Sequence, residues 1–482
     1  MRSFTRRQFL EQSLLAATAA ATAPLAAEAQ SPARQEGAPV SPNEKIRIAV
    51  IGVRGRGMDH VNGFASMPDV TVAAICDVDT SVAGRALDAV EQRTGQRPAF
   101  YQDIRKLLEA KDIDAVAIAT PNHWHALASI WAMQTGRDVY VEKPVSHNVL
   151  EGRRMVQAAR KYGRICQTGT QCRSMQGTID AIRYVHEGKI GKVFLARGLC
   201  YKPRGSIGIL PDGPVPPGVD YDLWLGPAPV RPFNPNRFHY QWHWFWDYGN
   251  GDLGNQGIHQ MDIARWALNR NTLPRQVLSL GGRFGYVDQG ETYNTQLVFL
   301  DYEDSQLIFE VRGLPTPDLL GAKIGVILYG SEGYVVLTSY TAGAAFDRDG
   351  KLVTRFNGGG NHYRNFIDAV RSRKHTDLTA DIEEGHLSSA LCHLGNISAR
   401  LGRPTPFQAK TEAFGDDKEA IETFARFQEH LVANGIQLQE TTYMLGRRLR
   451  IDPRRERFVG DREANAMLTR EYREPFVVPN RV

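Results

Sequence analysis

Residues 46–57 read IRIAVIGVRGRG, a short apolar run that passes directly into three glycines within six residues. The residues 46–51 have the β-branched composition of a buried strand, and a helix-compatible stretch begins at Met58. A strand, a glycine turn and a helix in this order are typical of nucleotide-binding α/β units, because glycines let the backbone turn tightly and approach a phosphate closely. The stretch therefore predicts an α/β fold with a nucleotide site at the turn.

The second apolar run, residues 70–76, ends at Asp77, twenty residues beyond Gly57. In a Rossmann dinucleotide-binding unit, an acid at this place accepts hydrogen bonds from the adenosine ribose, which favours NAD over NADP. The strict pattern GxGxxG would place a glycine where this chain has Arg54, and an arginine there keeps binding of a 2′-phosphate, and so NADP, open. The expected cofactor-binding residues of this unit are Gly52, Arg54, Gly55, Arg56, Gly57 and Asp77.

The composition indicates a large globular protein without a polyanionic partner. The 482 residues include 42% hydrophobic ones, which is enough for the cores of two domains. The 58 basic and 53 acidic residues leave a formal charge of only +5, which argues against nucleic acid as a partner. None of the five cysteines forms a C-x-x-C pair, so we expect buried thiols rather than a disulfide framework or a zinc knuckle.

The N-terminal residues have the pattern of an export signal. Residues 4–10 read FTRRQFL, an alanine-rich apolar stretch covers 14–27, and residues 27–29 form an A-x-A cleavage site. We expect a Tat signal peptide over 1–29, a flexible linker over 30–44, and a periplasmic or otherwise exported protein whose mature form has no membrane span. Because no free nicotinamide pool is expected outside the cytoplasm, the cofactor should be tightly bound and recycled within the catalytic cycle.

Two later strands end in polar loops, at the edge where open α/β sheets bind ligands. Residues 115–119 form an apolar strand and lead into TPNHWHA at 120–126, while DVYVEKP at 138–144 combines a strand with a charged turn. These motifs are similar to those of the Gfo/Idh/MocA family of oxidoreductases. The similarity of pattern extends from about residue 45 to the C-terminus.

The resemblance implies roles for residues in both motifs. In that family the lysine of E-K-P lies near the nicotinamide and contacts the substrate, which assigns a catalytic role to Lys143. An ammonium there would polarise a hydroxyl or carbonyl oxygen and stabilise its developing negative charge. His123 and His125 are two residues apart and would point in opposite directions on an extended backbone, so we do not expect them to share a metal. The cofactor-binding residues implied by the resemblance are Thr120, Pro121, Asn122, His125, Glu142, Lys143 and Gln171.

The motifs divide the mature chain into a Rossmann domain over 45–168 and a substrate and oligomerisation domain over 169–482. In the second domain, β-rich runs followed by helices predict an α+β domain with a large, mainly antiparallel open sheet. These runs cover residues 193–201, 276–285, 295–302, 306–311 and 325–338. Helices could cover one face of such a sheet and a second subunit the other, and the resemblance implies a homo-oligomer formed in this way.

Residues 238–248 form the densest aromatic segment of the chain, and three of the seven tryptophans lie between Trp242 and Trp246. Aromatic faces pack on the C–H groups of pyranose rings while polar neighbours bind hydroxyls, which predicts a site for a small carbohydrate. A buried aromatic core is the alternative interpretation, since some of these rings must be buried. The expected substrate-binding residues are Arg173, Tyr201, Trp242, His243, Trp246, Asn255 and His259.

In the family, an Asp-x-x-x-His pair at the start of a helix moves the hydroxyl proton, and its histidine aligns with His259. The aspartate position holds Asn255, whose amide can orient a hydroxyl but cannot accept its proton at neutral pH. His259 could still be the base, with Asp262 either orienting its imidazole or capping a local turn. A zinc site is conceivable, but its H-x-x-x-H pair lacks a clear helical context, so we expect no metal. The four ligands of such a site would be His239, His243, His259 and Asp262.

Three functions are open at this point. The first is an NAD-dependent sugar or polyol dehydrogenase, in which Lys143 polarises the substrate oxygen and His259 moves the proton. The second is a glycosidase with a retained NAD that oxidises the sugar transiently; it would explain export, although such hydrolases are not expected to carry the E-K-P lysine. The third is a sugar-binding relative without catalysis, suggested by Asn255.

Overall fold

The computed structural model describes residues 44–408 and 412–482, and Lys45–Val482 form one compact unit. The expected signal peptide, 1–29, and all but the last residue of the expected linker, 30–44, lie outside the described residues. Within the described part of the chain, no helix combines the length and the apolar character needed to cross a membrane.

The N-terminal half contains a six-stranded parallel sheet with the strand order β3-β2-β1-β4-β5-β6. Its strands are β1 Ile46–Ile51, β2 Val70–Cys76, β3 Ala99–Tyr101, β4 Ala115–Ile118, β5 Asp138–Val141 and β6 Cys166–Thr168. The order reverses between β1 and β4, which opens a crevice at the carboxyl ends of these strands. The predicted Rossmann domain is therefore confirmed.

Helices pack on both faces of this sheet, as its apolar strands require. They are α1 Arg56–Ala65, α2 Thr80–Thr94, α3 Ile104–Leu107, α4 Asn122–Gln134 and α5 Val149–Lys161. Side chains cap the helices after polar turns: Asp79 accepts from the backbone N–H of Ser81 at α2, and Asn148 accepts from that of Glu151 at α5.

The C-terminal half contains a twelve-stranded sheet in which β7 and β10 are the parallel neighbours and the other pairs are antiparallel. Ten strands follow the order β14-β13-β12-β11-β7-β10-β9-β8-β16-β15, and β17 and β18 branch from β8. Their bounds are β7 Val193–Tyr201, β8 Gln276–Gly282, β9 Thr295–Asp301, β10 Gln306–Arg312, β11 Ile324–Gly330, β12 Gly333–Leu337, β13 Ala342–Asp347, β14 Leu352–Asn357, β15 Arg403–Pro406, β16 Thr442–Leu445, β17 Leu449–Asp452 and β18 Arg457–Phe458. The predicted large, mainly antiparallel sheet is confirmed, although the run 325–338 is a hairpin of two strands.

The remaining helices belong to the C-terminal half. They are α6 Gln176–His186, α7 Tyr221–Leu225, α8 Gly251–Asn255, α9 Gly257–Ala267, α10 His362–Ser372, α11 Ile382–Arg400, α12 Lys418–Ala433 and α13 Arg462–Ala466. Among them, α6, α9, α11 and α12 pack on this sheet. Along β10, Phe309 faces the core formed with α9 and α11, while Ile308 faces the opposite core formed with α12. Part of the face expected to meet a second subunit is therefore covered by this chain's own helix.

Two segments of the C-terminal half return to the Rossmann sheet. Phe366 of α10 packs into the core of β1 and α1, and Phe476 near the end of the chain packs into the core beside α4. The Phe476 ring lies edge-on to Trp124 with centroids 5.5 Å apart. The C-terminal half is thus anchored on the Rossmann domain within one compact unit.

Candidate active site

A cleft of about 330 Å³ lies at the carboxyl ends of β1, β2, β4 and β5 and faces the aromatic segment of the C-terminal half. It brings together most of the residues expected to bind cofactor and two of the aromatic residues expected to bind substrate. The predicted residues that line it are Gly52, Arg54, Gly55, Arg56, Asp77, Thr120, Pro121, Asn122, His125, Glu142, Lys143, Trp242, His243 and Asn255.

The three glycines of the first turn serve different purposes. Gly52 has φ +80°, and a Cβ on it would lie 2.8 Å from the carbonyl oxygen of Ala119. A Cβ on Gly57 would lie 1.7 Å from the carbonyl oxygen of Gly52, so this glycine lets α1 approach the turn. Gly55 has no protein atom within 4 Å of its Cβ position and supplies no side-chain cap to α1. The open helix start at Gly55 is suited to the phosphates of a dinucleotide.

Asp77 is fixed at the end of β2 by the backbone. Its Oδ2 accepts from the N–H of Val53 at 2.8 Å and its Oδ1 accepts from the N–H of Asp79 at 3.0 Å. Burial raises the pKa of Asp77 to about 6, and the two backbone hydrogen bonds oppose that rise. The carboxylate lies beside the glycine turn, where it can accept hydrogen bonds from ribose hydroxyls.

Glu142 acts within the protein rather than as an open contact of the cleft. Its Oε1 accepts from Nε of Arg56 at 2.8 Å and lies 3.0 Å from Nε2 of the buried His60. Burial alone would raise its pKa, but the charge of Arg56 and the hydrogen bond from His60 hold the pKa of Glu142 well below its usual range. The carboxylate therefore ties the start of α1 to the end of β5, and sequence reasoning missed His60.

Lys143 directly follows Glu142 and reaches across the cleft. Its Nζ donates a hydrogen bond to the backbone oxygen of Asn255 at 3.0 Å. Burial lowers the pKa of Lys143, while the neighbouring Glu142 carboxylate opposes the decrease. The Rossmann half thus presents a cationic hydrogen-bond donor to the substrate half of the cleft.

The two histidines of TPNHWHA lie at the start of α4, where they bind backbone oxygens. Nδ1 of His125 approaches the oxygen of Pro144 at 2.7 Å and its Nε2 approaches the oxygen of Thr120 at 2.8 Å. Nε2 of His123 lies 2.9 Å from the oxygen of Trp224. Within residues 44–408 and 412–482, no three His, Cys, Asp or Glu side chains are grouped to hold a metal ion.

His259 lies on α9, one turn after Asn255, and is 4% exposed. Burial, and then the positive charge of Lys143, lower the pKa of His259 well below its ordinary value, so the ring is neutral. Its Nδ1 has no hydrogen-bond partner, and its ring centroid lies 5.0 Å from that of Tyr340. The imidazole can accept a proton, but it does not line the cleft itself.

Asp262 does not orient His259, which corrects the sequence-based assignment. Its carboxylate accepts two hydrogen bonds from Arg173, at 2.7 and 2.9 Å, and a third from Ser388 at 2.6 Å. Arg173 also pairs with Glu384 at 2.9 Å and is 5% exposed. The expected substrate role of Arg173 is corrected for the same reason, because a buried charge forms these ion pairs instead of facing the cleft.

Three further expected contacts fall outside the lining of the cleft. The buried hydroxyl of Tyr201 donates to Glu310 at 2.7 Å in the C-terminal sheet. The ring of Trp246 packs under the guanidinium of Arg400, with the guanidinium carbon 4.8 Å from its centroid. Gln171 lies in a 3₁₀ turn, and its buried Oε1 has no partner. The direct substrate role of Tyr201 is therefore corrected, whereas the substrate role of Trp246 and the cofactor contact of Gln171 stay predictions.

The aromatic segment 238–248 contributes both to the lining of the cleft and to a buried core. Trp242 and His243 stack with centroids 3.6 Å apart and line the cleft, whereas Trp244, Phe245 and Tyr248 belong to a buried core. Sequence reasoning assigned no individual cofactor or substrate contact to several other residues of the lining. They are Asp79, Trp124, Trp224, Phe238, His239 and Tyr240. Of these, His239 was considered only as a zinc ligand. Nε2 of His239 lies 3.2 Å from the carboxylate of Asp79, a contact between distant segments that no local pattern predicts.

A charged cluster beside Lys143 was also missed. Arg204 donates two hydrogen bonds of 2.7 Å to Asp252, and one of 3.1 Å to the hydroxyl of Tyr240. Nζ of Lys202 donates to Oε1 of Gln256 at 3.1 Å. These residues lie beside the cleft, since Tyr240 lines it and Gln256 directly follows Asn255 of its lining.

The described residues fit a dinucleotide. The open backbone at Gly55 and the carboxylate of Asp77 match the phosphate and ribose positions of a Rossmann turn. The buried hydroxyl of Thr120, at the end of β4, has no partner and lies in the same lining, where a bound amide or ribose would satisfy it.

Comparisons with known proteins agree with this geometry. One family model, described as "Oxidoreductase family, NAD-binding Rossmann fold", matches residues 46–170. A second, described as "Oxidoreductase family, C-terminal alpha/beta domain", matches residues 205–430. Both are models of the Gfo/Idh/MocA family, and together they cover more than half of the chain.

Similar curated proteins include the Glycosyl hydrolase family 109 proteins of Saccharopolyspora erythraea and Streptomyces coelicolor. The first is 32% identical over 207 residues, which are 40% of this chain and 45% of that protein. The second is 30% identical over 194 residues, which are 38% of this chain and 41% of that protein. The chain thus spans less than half the length of these relatives.

Solved structures share the fold at low identity. The WlbA dehydrogenase from Bordetella pertussis in complex with NADH and UDP-GlcNAcA has a TM-score of 0.55 and 21% identity, and the match covers 74% of this chain and 97% of that one. A putative oxidoreductase from Thermotoga maritima has a TM-score of 0.56 and 17% identity over 74% of this chain and 99% of that one. The chain therefore belongs to the Gfo/Idh/MocA oxidoreductase family, with an NAD-binding Rossmann domain followed by the family's C-terminal α/β domain.

Proposed function

We propose that this protein is an exported NAD-dependent oxidoreductase that acts on a hydroxyl carbon of a sugar, a polyol or a glycoside. The observation that carries the proposal is the position of Lys143. Its ammonium crosses from the E-K-P turn of the Rossmann half to the backbone of Asn255, in the cleft that also contains the glycine turn and Asp77. A cofactor bound at the turn and a substrate bound at Trp242 would both border this ammonium.

Bound NAD would supply a hydride acceptor at C4 of its nicotinamide ring. Lys143 would donate a hydrogen bond to the oxygen of the reacting carbon and stabilise negative charge that develops there. Asn255, beside it, would orient a hydroxyl through its amide without taking the proton. His259 would receive the proton on its Nδ1, because its ring is neutral and this nitrogen has no hydrogen-bond partner.

A second candidate is a glycosidase that oxidises its sugar transiently and returns the cofactor to its starting state. The 32% identity to the Saccharopolyspora erythraea protein named Glycosyl hydrolase family 109 favours this candidate. It would need the same cofactor site and the same hydroxyl contact, followed by elimination of the leaving group. Such a cycle also suits the proposed export, since it requires no second redox substrate.

The proposed export rests on the twin-arginine pattern at residues 4–29. Sequencing the N-terminus of the protein recovered from the producing cell would test it. A mature chain that begins at Gln30 would support cleavage at the A-x-A site, whereas an uncut chain in the cytoplasm would refute it.

We also propose a homo-oligomer in which the rest of the C-terminal sheet packs on another subunit. Its partly buried aromatic row at Tyr329, Tyr334 and Phe346 supports this arrangement, and the Tyr334 and Phe346 rings are stacked 5.0 Å apart. Light scattering of the purified protein would test the proposal, and a monomer at micromolar concentration would refute it.

The decisive experiment for the function uses the protein as purified. The near-ultraviolet absorbance of its bound nicotinamide is followed while sugars, polyols and aryl glycosides are added. Stable reduction supports a dehydrogenase, and release of the aryl group without net reduction supports the glycosidase. A protein that binds no nicotinamide and turns over none of these compounds would refute both, in favour of a sugar-binding relative without catalysis.

A further inference from the structure

The acids beside Lys143 are already neutralised by arginines. Glu142 pairs with Arg56 at 2.8 Å, and Asp252 pairs with Arg204 at 2.7 Å. The side chains of Glu142 and Asp252 are 6% and 3% exposed, so both carboxylates are buried with their arginine partners. Each carboxylate is therefore already paired with one arginine, and neither forms an ion pair with a lysine in the described part of the chain.

Two ammoniums bind neutral oxygens of two consecutive residues, and the first of these residues, Asn255, lines the cleft. Nζ of Lys143 donates to the backbone oxygen of Asn255, and Nζ of Lys202 donates to the side-chain oxygen of the next residue, Gln256. Within the described part of the chain, neither ammonium forms an ion pair with a carboxylate. The charge of Lys202 acts on Lys143 and contributes to lowering its pKa, so the two groups lie within electrostatic range.

The amide of Gln256 keeps Lys202 in place. Its Nε2 donates to the hydroxyl of Tyr340 at 2.6 Å, which leaves Oε1 to accept from Lys202. Tyr340 in turn packs against the ring of His259, the proposed proton acceptor. Lys202 is therefore connected through Gln256 and Tyr340 to His259.

Two partly desolvated cations of like charge oppose each other unless an anion enters between or beside them. Gln256 offers Lys202 one neutral acceptor, and an ammonium has three donors, so two donors of Lys202 can bind another group. Arg204 and Arg56, which would be better suited to the several oxygens of a phosphate, are already paired with carboxylates. The arrangement favours a single negative charge.

We propose that Lys202 binds a carboxylate of the substrate, so that the cleft selects acidic sugars, such as uronates, over the corresponding neutral sugars. This inference rests on the proposed function, because it assigns the substrate class of the same cleft. Lys143 contacts the oxygen of the reacting carbon, and Lys202 contacts the carboxylate at another position of the same sugar. Gln256 is a positioning residue that keeps the Lys202 ammonium at the cleft.

The test is calorimetric titration of the purified holoprotein with matched sugars: glucose and glucuronate, galactose and galacturonate, and the two corresponding 6-phosphates. At least one uronate is expected to bind at least about tenfold more tightly than its neutral partner, equivalent to about 1.4 kcal/mol. The preference should shrink as salt is added. Equal affinities within both pairs, or tighter binding of a 6-phosphate than of the uronate, would overturn the proposal.

Variants of Lys202 separate a specific role from a structural one. Lys202→Met should abolish the preference for the uronate and leave the affinity for the neutral sugar unchanged, whereas Lys202→Arg should retain the preference. Lys192→Met is the matched control, because Lys192 is exposed and precedes the same strand β7 that ends before Lys202. Equal weakening of both sugars by Lys202→Met would overturn the proposal.

The outcomes for the inference and for the proposed function are distinguishable. If uronates bind preferentially but no sugar changes the oxidation state of the bound nicotinamide, the carboxylate site stands and the proposed function fails. If neutral sugars reduce the nicotinamide and bind as tightly as uronates, the proposed function stands and the carboxylate site fails.

Discussion

Replacing Gly57 with alanine should destabilise the fold, whereas replacing Gly55 with alanine should impair the cofactor site. The Cβ of Gly57→Ala would lie 1.7 Å from the carbonyl oxygen of Gly52 and 2.8 Å from its carbonyl carbon. Neither atom can rotate away, since Gly52 itself lies against the backbone of Ala119 and Thr120. The variant must therefore move α1 away from the turn, just as an overpacked core forces its backbone to shift.

The size of this effect follows from two opposing contributions. Overpacking costs about 1–3 kcal/mol, while alanine is favoured over glycine within a helix by about 1 kcal/mol. We therefore expect Gly57→Ala to lower the free energy of unfolding by up to about 2 kcal/mol, since the 1.7 Å approach lies at the costly end of this range. Gly55→Ala meets no protein atom within 4 Å, and its effect on unfolding should be below about 1 kcal/mol.

In cofactor binding, Gly55→Ala should have the larger effect of the two variants. The new methyl group of Gly55→Ala would occupy open space at the start of α1, where the phosphates of NAD approach the backbone. We expect its affinity for NAD to fall at least about tenfold, or about 1.4 kcal/mol. Urea unfolding of the cofactor-free proteins and fluorescence titration with NADH measure both quantities. Equal destabilisation by the two variants, or unchanged NADH affinity in Gly55→Ala, would refute the roles assigned to these glycines.

Three further predictions concern single residues. Burial raises the pKa of Asp77 to about 6, and the carboxylate must be ionised to accept hydrogen bonds from the ribose. The affinity for NADH should therefore be full above about pH 7 and fall as the pH drops through 6. The NADH affinity of Asp77→Asn should not show this pH dependence. Asp262→Asn should lower the free energy of unfolding by about 3 kcal/mol, because it leaves Arg173 partly unpaired. The pH profile of turnover should stay unchanged in this variant, and a shifted profile would show that Asp262 acts on His259. Phe476→Ala should cost about 3 kcal/mol in urea unfolding, because it leaves a cavity beside Trp124, and an unchanged midpoint would show that the C-terminal segment does not stabilise the Rossmann half.

The parts of the fold that local sequence determines were predicted well. The run 46–51, the glycine turn and Asp77 lie close together in the chain, so their spacing alone indicates a strand, a helix and a cofactor edge. Lys143 could be placed because it directly follows a strand, and parallel strands end at the same edge of their sheet. The hairpin within 325–338 was missed, since its turn interrupts an otherwise continuous β-rich run.

The partners of buried charges could not be predicted in the same way. Arg173 and Asp262 are 89 residues apart, and Tyr201 and Glu310 are 109 residues apart. The polar side chains of Arg173 and Tyr201 suggested a substrate site, but tertiary packing pairs each of them with a distant carboxylate. A buried polar or charged group destabilises the fold when its partner is removed, so these groups stay paired and are not available to a ligand.

The central claim is that Lys143 borders both the cofactor and the reacting hydroxyl. The most direct measurement is reduction of the bound nicotinamide in a single turnover, compared between the native protein, Lys143→Met and the control Lys192→Met. We expect Lys143→Met to retain its nicotinamide and to reduce it at least about a hundredfold more slowly, since it lacks the donor that stabilises the developing charge; Lys192→Met should match the native rate. A Lys143→Met protein that retains the nicotinamide and reduces it at the native rate would contradict the account.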